Sequence, residues 1–188
     1  MRHMIRFLIG ALAFSFTTGA ALSADADMTK KQAEIRKVSQ TTLDKFYKAN
    51  PKLKGDVAKA PGYAVFTTYG LSFLIGGAGG SGLVHDRKTG KDTFMKLAQG
   101  SAGLQVGLSQ TDMLVIFKTP KSMAHFINSG WEFGGQGAME AGAAGKTAGA
   151  PEAGGAMGDS LYYTLTQNGL QAGGAAAGTK VWKDSDLN

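Results

Sequence analysis

The chain has 188 residues, 28 of them glycine, no cysteine and a formal net charge of +6. The missing cysteines exclude a disulfide framework. The clustered, non-periodic glycines exclude collagen, and the apolar runs between them exclude a disordered chain. The length suits one domain behind a short leader.

Residues 1–24 read as that leader. Arg2 and Arg6 form a positive front, Phe7 to Phe16 an apolar centre, and Ala20-Ala21-Leu22-Ser23-Ala24 the small residues that precede cleavage. The apolar run is shorter than the roughly 20 residues a spanning helix needs. With no cysteine at the cleavage site, a lipoprotein anchor is not expected. The mature protein is expected in the periplasm or secreted. The remaining boundaries are a basic helical segment at 25–60, a glycine-rich β domain at 61–183 and a polar tail at 184–188.

The basic excess is local. Lys30 to Lys59 holds nine basic residues (Lys30, Lys31, Arg36, Lys37, Lys45, Lys48, Lys52, Lys54, Lys59) against Glu34, Asp44 and Asp56, a net of +6. From Ala60 onward nine basic residues balance nine acidic ones. Thr29 to Ala49 contains neither proline nor glycine and predicts a helix stopped by Asn50-Pro51. Ile35, Val38, Leu43, Phe46 and Tyr47 gather on about half its circumference. That stripe is expected to dock on a sheet, leaving a lysine face outward. A second helix is expected over Lys52 to Lys59.

Extended segments follow. Tyr63 to Tyr69 is rich in β-formers, and Phe73-Leu74-Ile75 leads into the run Gly76 to Gly82 and then Leu83-Val84. Arg87 to Asp92 reads as a polar hairpin tip, with Thr93 to Leu97 returning. Glycine inside strands is costly. It is explained either by close backbone approach or by room left for a lipid, and the geometric cause is favoured. Ala138 to Gly158 is alanine and glycine with one proline, too poor in large side chains to define a core. Leu161 to Thr166 and Leu170 to Trp182 read as a closing hairpin turned at Asn168-Gly169.

The stretch Gly100 to Gly137 organises the rest. Ala102 to Ser109 predicts a half-buried strand, Gln110-Thr111-Asp112 a turn, and Met113 to Lys118 a buried strand. Thr119 can cap a helix with Pro120 at its first position, and Met123, Phe126 and Ile127 share one face of it. Asn128-Ser129-Gly130 ends that helix, and Trp131-Glu132-Phe133 is extended again.

Ala102-Gly103-Leu104-Gln105-Val106-Gly107, Met113 to Phe117, Phe126-Ile127-Asn128-Ser129 and Gly130-Trp131-Glu132-Phe133-Gly134 resemble the SYLF domain, also called the Ysc84 family. Asn168 to Gly173 and Gly178-Thr179-Lys180 extend the match, which covers roughly Ala49 to Lys183. The resemblance implies binding of anionic phospholipid, and of actin filaments in eukaryotic relatives. It implies no catalysis.

Other signals carry less. Gly77, Gly79 and Gly82 fit G-x-G-x-x-G, but Leu83-Val84-His85 continues as strand where a dinucleotide site needs a helix N-terminus. Gly145-Lys146-Thr147 lacks the first P-loop glycine, because Glu140 stands there. His85 and His125 have no second ligand at helical spacing. Glu132 is expected to face solvent between Trp131 and Phe133. No cofactor or metal is expected, and no basic element interleaved with aromatics points to nucleic acid.

The expected fold is α+β: amphipathic N-terminal helices packed on a glycine-rich, mainly antiparallel β-barrel or sandwich with one short inserted helix. The expected function is non-catalytic binding of an anionic phospholipid membrane surface. The contact residues would be Lys30, Lys31, Arg36, Lys37, Lys45, Lys48, Lys52 and Lys54, with the hairpin tip Arg87, Lys88 and Lys91. The alternative is a protein-interaction module, with a protein partner in place of lipid.

Overall fold

A computed structural model describes residues 19–69, 77–100, 110–133, 155–156, 159–166, 169–172 and 179–188. The expectations for residues 1–18, Phe73-Leu74-Ile75, Ala102 to Ser109 and Ala138 to Gly154 lie outside the described residues.

Two helices open the fold, α1 (Gly19–Ala49) and α2 (Lys52–Lys59). The first begins ten residues ahead of Thr29, so it runs through the expected leader boundary. Its end is where Asn50-Pro51 predicts it, and the Asn50 side chain accepts from the Lys52 amide at 3.1 Å. The apolar stripe is docked as expected: Leu43 and Phe46 are buried, and Ile35, Val38 and Tyr47 half-buried. From α2, Leu53 and Val57 reach the same core.

The strands are β1 (Gly62–Tyr69), β2 (Gly77–Asp86), β3 (Asp92–Gly100), β4 (Gln110–Phe117), β5 (Trp131–Phe133), β6 (Gly155–Ala156), β7 (Ser160–Thr166), β8 (Gly169–Ala172) and β9 (Thr179–Lys183), with α3 (Pro120–Ser129) between β4 and β5. All described pairings are antiparallel, in the order β5-β9-β3-β2-β1-β4-β7-β6, with β8 also on β7. The single sheet curls into half a barrel, so the α+β architecture holds.

Both sheet faces are covered. Ala64, Phe66, Val84, Met95, Leu97, Met113, Val115 and Phe117 pack with Met123 and Phe126 of α3 on one face. Val65, Leu114, Ile116 and Tyr163 pack with Leu43, Phe46, Leu53 and Val57 on the other. Alternate residues of β4 therefore serve opposite cores. That is why Met113 to Phe117 is apolar without a break.

Helix α3 follows its local signals. Thr119 accepts the Ser122 amide at 3.1 Å, Pro120 opens the helix, and Gly130 closes it at φ 68°. A side chain on Gly130 would meet the Val181 carbonyl oxygen, so glycine lets α3 end directly against β9.

Two expectations change. Gln110-Thr111-Asp112 is not a turn but the start of β4, with Gln110 opposite Tyr69 and Asp112 opposite Thr67. The residues are polar because the sheet is polar there: the Thr111 amide donates to Thr68 Oγ1 at 3.1 Å, and the Asp112 carboxylate meets Lys45. Second, Leu170 to Trp182 is not one returning strand. Gly169–Ala172 turns back on β7, whereas Thr179–Lys183 lies across the sheet between β3 and β5. The last residues, 184–188, are held against the sheet and α1. Leu187 packs with Leu83, Phe94, Met28 and Ile35, and the Asn188 side chain bonds both the amide and the carbonyl of Phe94.

Candidate functional site

Spacings of seven and eleven residues bring Lys30, Lys37 and Lys48 onto one line of α1, because an α-helix repeats about every 3.6 residues. That line is opposite Leu43 and Phe46, and all three lysines are exposed. Glu34 and Asp44 share the outer face, yet no ion pair joins either to a lysine among the described residues.

The other predicted cations divide by what they touch. Arg36 does not face outward alone: its Nε donates to Asp92 at 2.7 Å, and its guanidinium lies 5.0 Å from the centre of the Phe94 ring. The other oxygen of Asp92 meets His85 Nδ1 at 2.8 Å, so one carboxylate joins α1 to β2 and β3. Lys45 bonds the buried Asp112 at 2.9 Å. Arg87 donates to the Val57 carbonyl at 3.0 Å and holds α2 to the hairpin tip. These three cations fasten the helices to the sheet.

Lys52 and Lys54 are exposed on α2, whose partners Leu53 and Val57 point inward. At the tip, the Asp86 carboxylate accepts the amides of Lys88 and Thr89, and Gly90 adopts φ 69°. The Thr89 hydrogen bond foremost holds the Asp86 carboxyl below its ordinary pKa. Lys88 and Lys91 project from this turn, exposed. Helices α1 and α2 share one face of the sheet, and the tip lies against the end of α2. Helices α1 and α2 thus cover one face of the sheet and α3 the other, with the hairpin tip at the end of α2.

Lys31 lies lower on α1 and lines a half-open cleft of about 380 Å³ with Glu34, Ile35, Val38, Ser39, Gly80, Ser81, Lys96, Asp184 and Leu187. Lys96 bonds Asp184 and Asp186 at 3.0 Å each. These bonds raise the Lys96 pKa, and that to Lys96 lowers the Asp186 pKa. The cations and anions of the cleft balance.

Glycine in β2 has two distinct roles. A side chain on Gly80 would strike the Thr67 carbonyl oxygen, and one on Gly82 the Val65 carbonyl oxygen and the Phe66 ring. There the favoured geometric cause applies. At Gly79 nothing stands within 4 Å, and the residue is exposed.

Sequence reasoning missed the acids Asp92 and Asp112 that take up Arg36 and Lys45, and it missed Lys96. Strand alternation from Phe94 would have placed Asp92 and Lys96 on the helix side. His125 is exposed beside Ser129, and Glu132 is exposed opposite Lys180 as the alternation predicts. Among the described residues no group of three or more His, Cys, Asp or Glu could hold a metal ion. No described helix is long and apolar enough to cross a membrane.

Fold and site together define a class: an α+β domain in which a glycine-bearing half-barrel carries docked helices with a basic outer side. Residues 98–188 match the family model of Ysc84, described as "Las17-binding protein actin regulator". Over these residues, just under half of its length, the chain is similar to the Ysc84 family, whose domain is the SYLF domain. It is also similar to Beta cell expansion factor A of Aeromonas veronii, at 29% identity over 161 residues, 85% of this chain and 60% of that relative. The chain therefore spans about three fifths of the relative's length. The matched family segment begins in β3, so α1, α2, β1 and β2 precede it. The family's description names binding and regulation, not a reaction.

Proposed function

We propose that the protein is a non-catalytic binder of anionic phospholipid surfaces that acts after export, in the periplasm or outside the cell. The observation that carries this reading is the line Lys30, Lys37 and Lys48. These are three exposed lysines on a helix whose apolar side is already committed to the core. Each basic residue close to an anionic membrane contributes on the order of 1 kcal/mol. In this reading exposed Lys52 and Lys54 of α2, Lys88 and Lys91 of the hairpin tip, and Lys31 of α1 add to the attraction. Arg36, Lys45 and Arg87 contribute to the field while their hydrogen bonds hold the scaffold.

Co-sedimentation with vesicles tests the reading. Binding to anionic vesicles that weakens from low to moderate salt is expected, with little binding to neutral ones. Equal, salt-independent pelleting with both, or none with either, overturns it. Fractionation of cells into cytoplasm, periplasm and medium tests the location separately.

A second reading is favoured by the family's own description: a protein-interaction module whose partner is an actin regulator or the filament itself. Lipid-free co-sedimentation with actin filaments separates it from the first.

A further inference from the structure

Trp182 is the only large apolar side chain that stands exposed among the described residues, at 38%. Three features of the fold keep it there. Its strand β9 alternates, with Val181 buried and Lys180 and Trp182 pointing the opposite way. The neighbouring strand β5 stops short of it, because Trp131 pairs with Val181 and the chain has already turned into α3 at Gly130. On its other side the register partner is Lys96, whose ammonium is drawn towards Asp184 and Asp186. Nothing folds over the indole from β5, and a charged neighbour borders it on β3.

The surroundings are basic where they are not neutralised. Lys180 is exposed on the same face of β9 as Trp182, whose register partner on β3 is Lys96, whereas Lys183, opposite Met95, belongs to the other face. Asp184 and Asp186, the nearest acids in sequence, are held by Lys96, and Glu132 lies opposite Lys180. Lys96 also shares the cleft with Lys31 of α1. The tryptophan therefore sits on the helix-bearing face of the sheet, beside the basic helix and not behind it.

An amphipathic indole flanked by lysines suits one environment in particular. Trp and Tyr are enriched where a bilayer meets water, with the ring among the glycerol groups and the N–H still solvated. Lysine ammoniums reach anionic headgroups from the same depth. We propose that Trp182, with Lys180 on the same face of β9, is the point at which this protein inserts into the interface of an anionic phospholipid bilayer. The inference rests on the lipid-binding function proposed above and adds the residue that enters the membrane. The α1 lysines supply long-range attraction that salt screens. Trp182 supplies short-range apolar contact that salt leaves intact.

The chain has two tryptophans, Trp131 and Trp182, so each can be read alone. Emission would be recorded for the full protein as W131F and as W182F, with phosphatidylglycerol vesicles plain and carrying brominated acyl chains. Vesicle pelleting would be measured in parallel. Trp182 in W131F is expected to shift to the blue and to be quenched by the brominated lipid, while Trp131 in W182F is not. W182A is expected to lower partitioning about tenfold at moderate salt, for an indole only partly withdrawn from water, and W182F less. An unchanged thermal melt shows that W182A still folds.

If the protein pellets with vesicles while Trp182 emission stays unmoved and unquenched, the insertion point is elsewhere and the lipid reading survives. If no variant pellets, both fall together. Pelleting lost in W182A but unaffected by salt would instead overturn the role given to the α1 lysines.

Discussion

Lys45 and Asp112 meet at 2.9 Å across the joint between α1 and the sheet, with the carboxylate only 5% exposed. The pair belongs to a polar row between helix and strands, where Thr42 Oγ1 also meets Thr67 Oγ1 at 2.9 Å. Asp112 is next to Thr67 in register, so the row runs across β1 and β4. A lysine that by composition belongs to a basic surface thus holds the scaffold together.

This separates two kinds of lysine experimentally. Lys45→Ala leaves a nearly buried carboxylate without its ammonium and is expected to cost about 1–2 kcal/mol of stability, moderated because Lys45 is itself partly solvated. The triple substitution of Lys30, Lys37 and Lys48 by alanine should leave the urea midpoint almost unchanged. It should weaken anionic-vesicle binding by roughly two orders of magnitude at low salt. Urea melts and vesicle titrations of the two variants check this. Equal stability loss in both would show that the outer line is structural.

The glycines of β2 make a second contrast. Gly82→Ala drives a methyl group into the Val65 carbonyl oxygen and the Phe66 ring, at the centre of the sheet, and is expected to destabilise by about 2 kcal/mol or more. Gly79→Ala enters open space three residues away and should be neutral or stabilising by up to about 1 kcal/mol, because alanine restricts the unfolded chain. Thermal melts of both decide it. A neutral Gly82→Ala would mean that β2 and β1 are not held at this distance.

How much of this could be read in advance depended on sequence separation. Thr119, Pro120 and Gly130 mark the ends of α3 because capping acts within a turn. The α1 stripe was equally legible, being a local period. Lys45 and Asp112 are 67 residues apart, and nothing near either residue announces the other. Asp112 therefore read as a turn former when it is a strand residue with a partner. The same limit misplaced β9. Asn168-Gly169 signals a turn, and β8 does turn back onto β7, but the next strand crosses to β3 and β5. Its register depends on β3 residues 80 to 88 positions earlier and β5 residues 46 to 50 positions earlier. Of the candidate site, the charges were legible and their division into tethering and outward groups was not. The exposure of Trp182 follows from where β5 ends, which is again a tertiary fact.

Alkaline pH offers a third test. Burial pushes the Tyr47 hydroxyl up to about 12, and raises Tyr63 and Tyr162 as well. The folded state thus keeps protons that the unfolded chain releases from about pH 10. Stability from these groups is complete below pH 10 and is lost as pH rises towards 12. Unfolding followed from pH 9 to 12 should show this decline, and Tyr47→Phe should flatten part of it. Absorbance titration at the tyrosinate band should show these groups ionising late. An early, uniform titration of all five tyrosines would contradict the burial.

The C-terminal residues give the last prediction. Leu187 is buried among Leu83, Phe94, Met28 and Ile35, and its carbonyl accepts from Gln32 of α1 at 2.9 Å. The Asn188 side chain pairs with both backbone groups of Phe94 on β3. These contacts fasten the front half of α1, whereas its rear half is held by Leu43 and Phe46 in a separate core. Leu187→Ala should therefore cost about 2 kcal/mol or more, with an uneven distribution. Amide exchange should accelerate from Met28 to Arg36 and stay slow around Phe46. Uniform acceleration along α1 would instead mean that the helix opens as one unit and that the two cores are coupled.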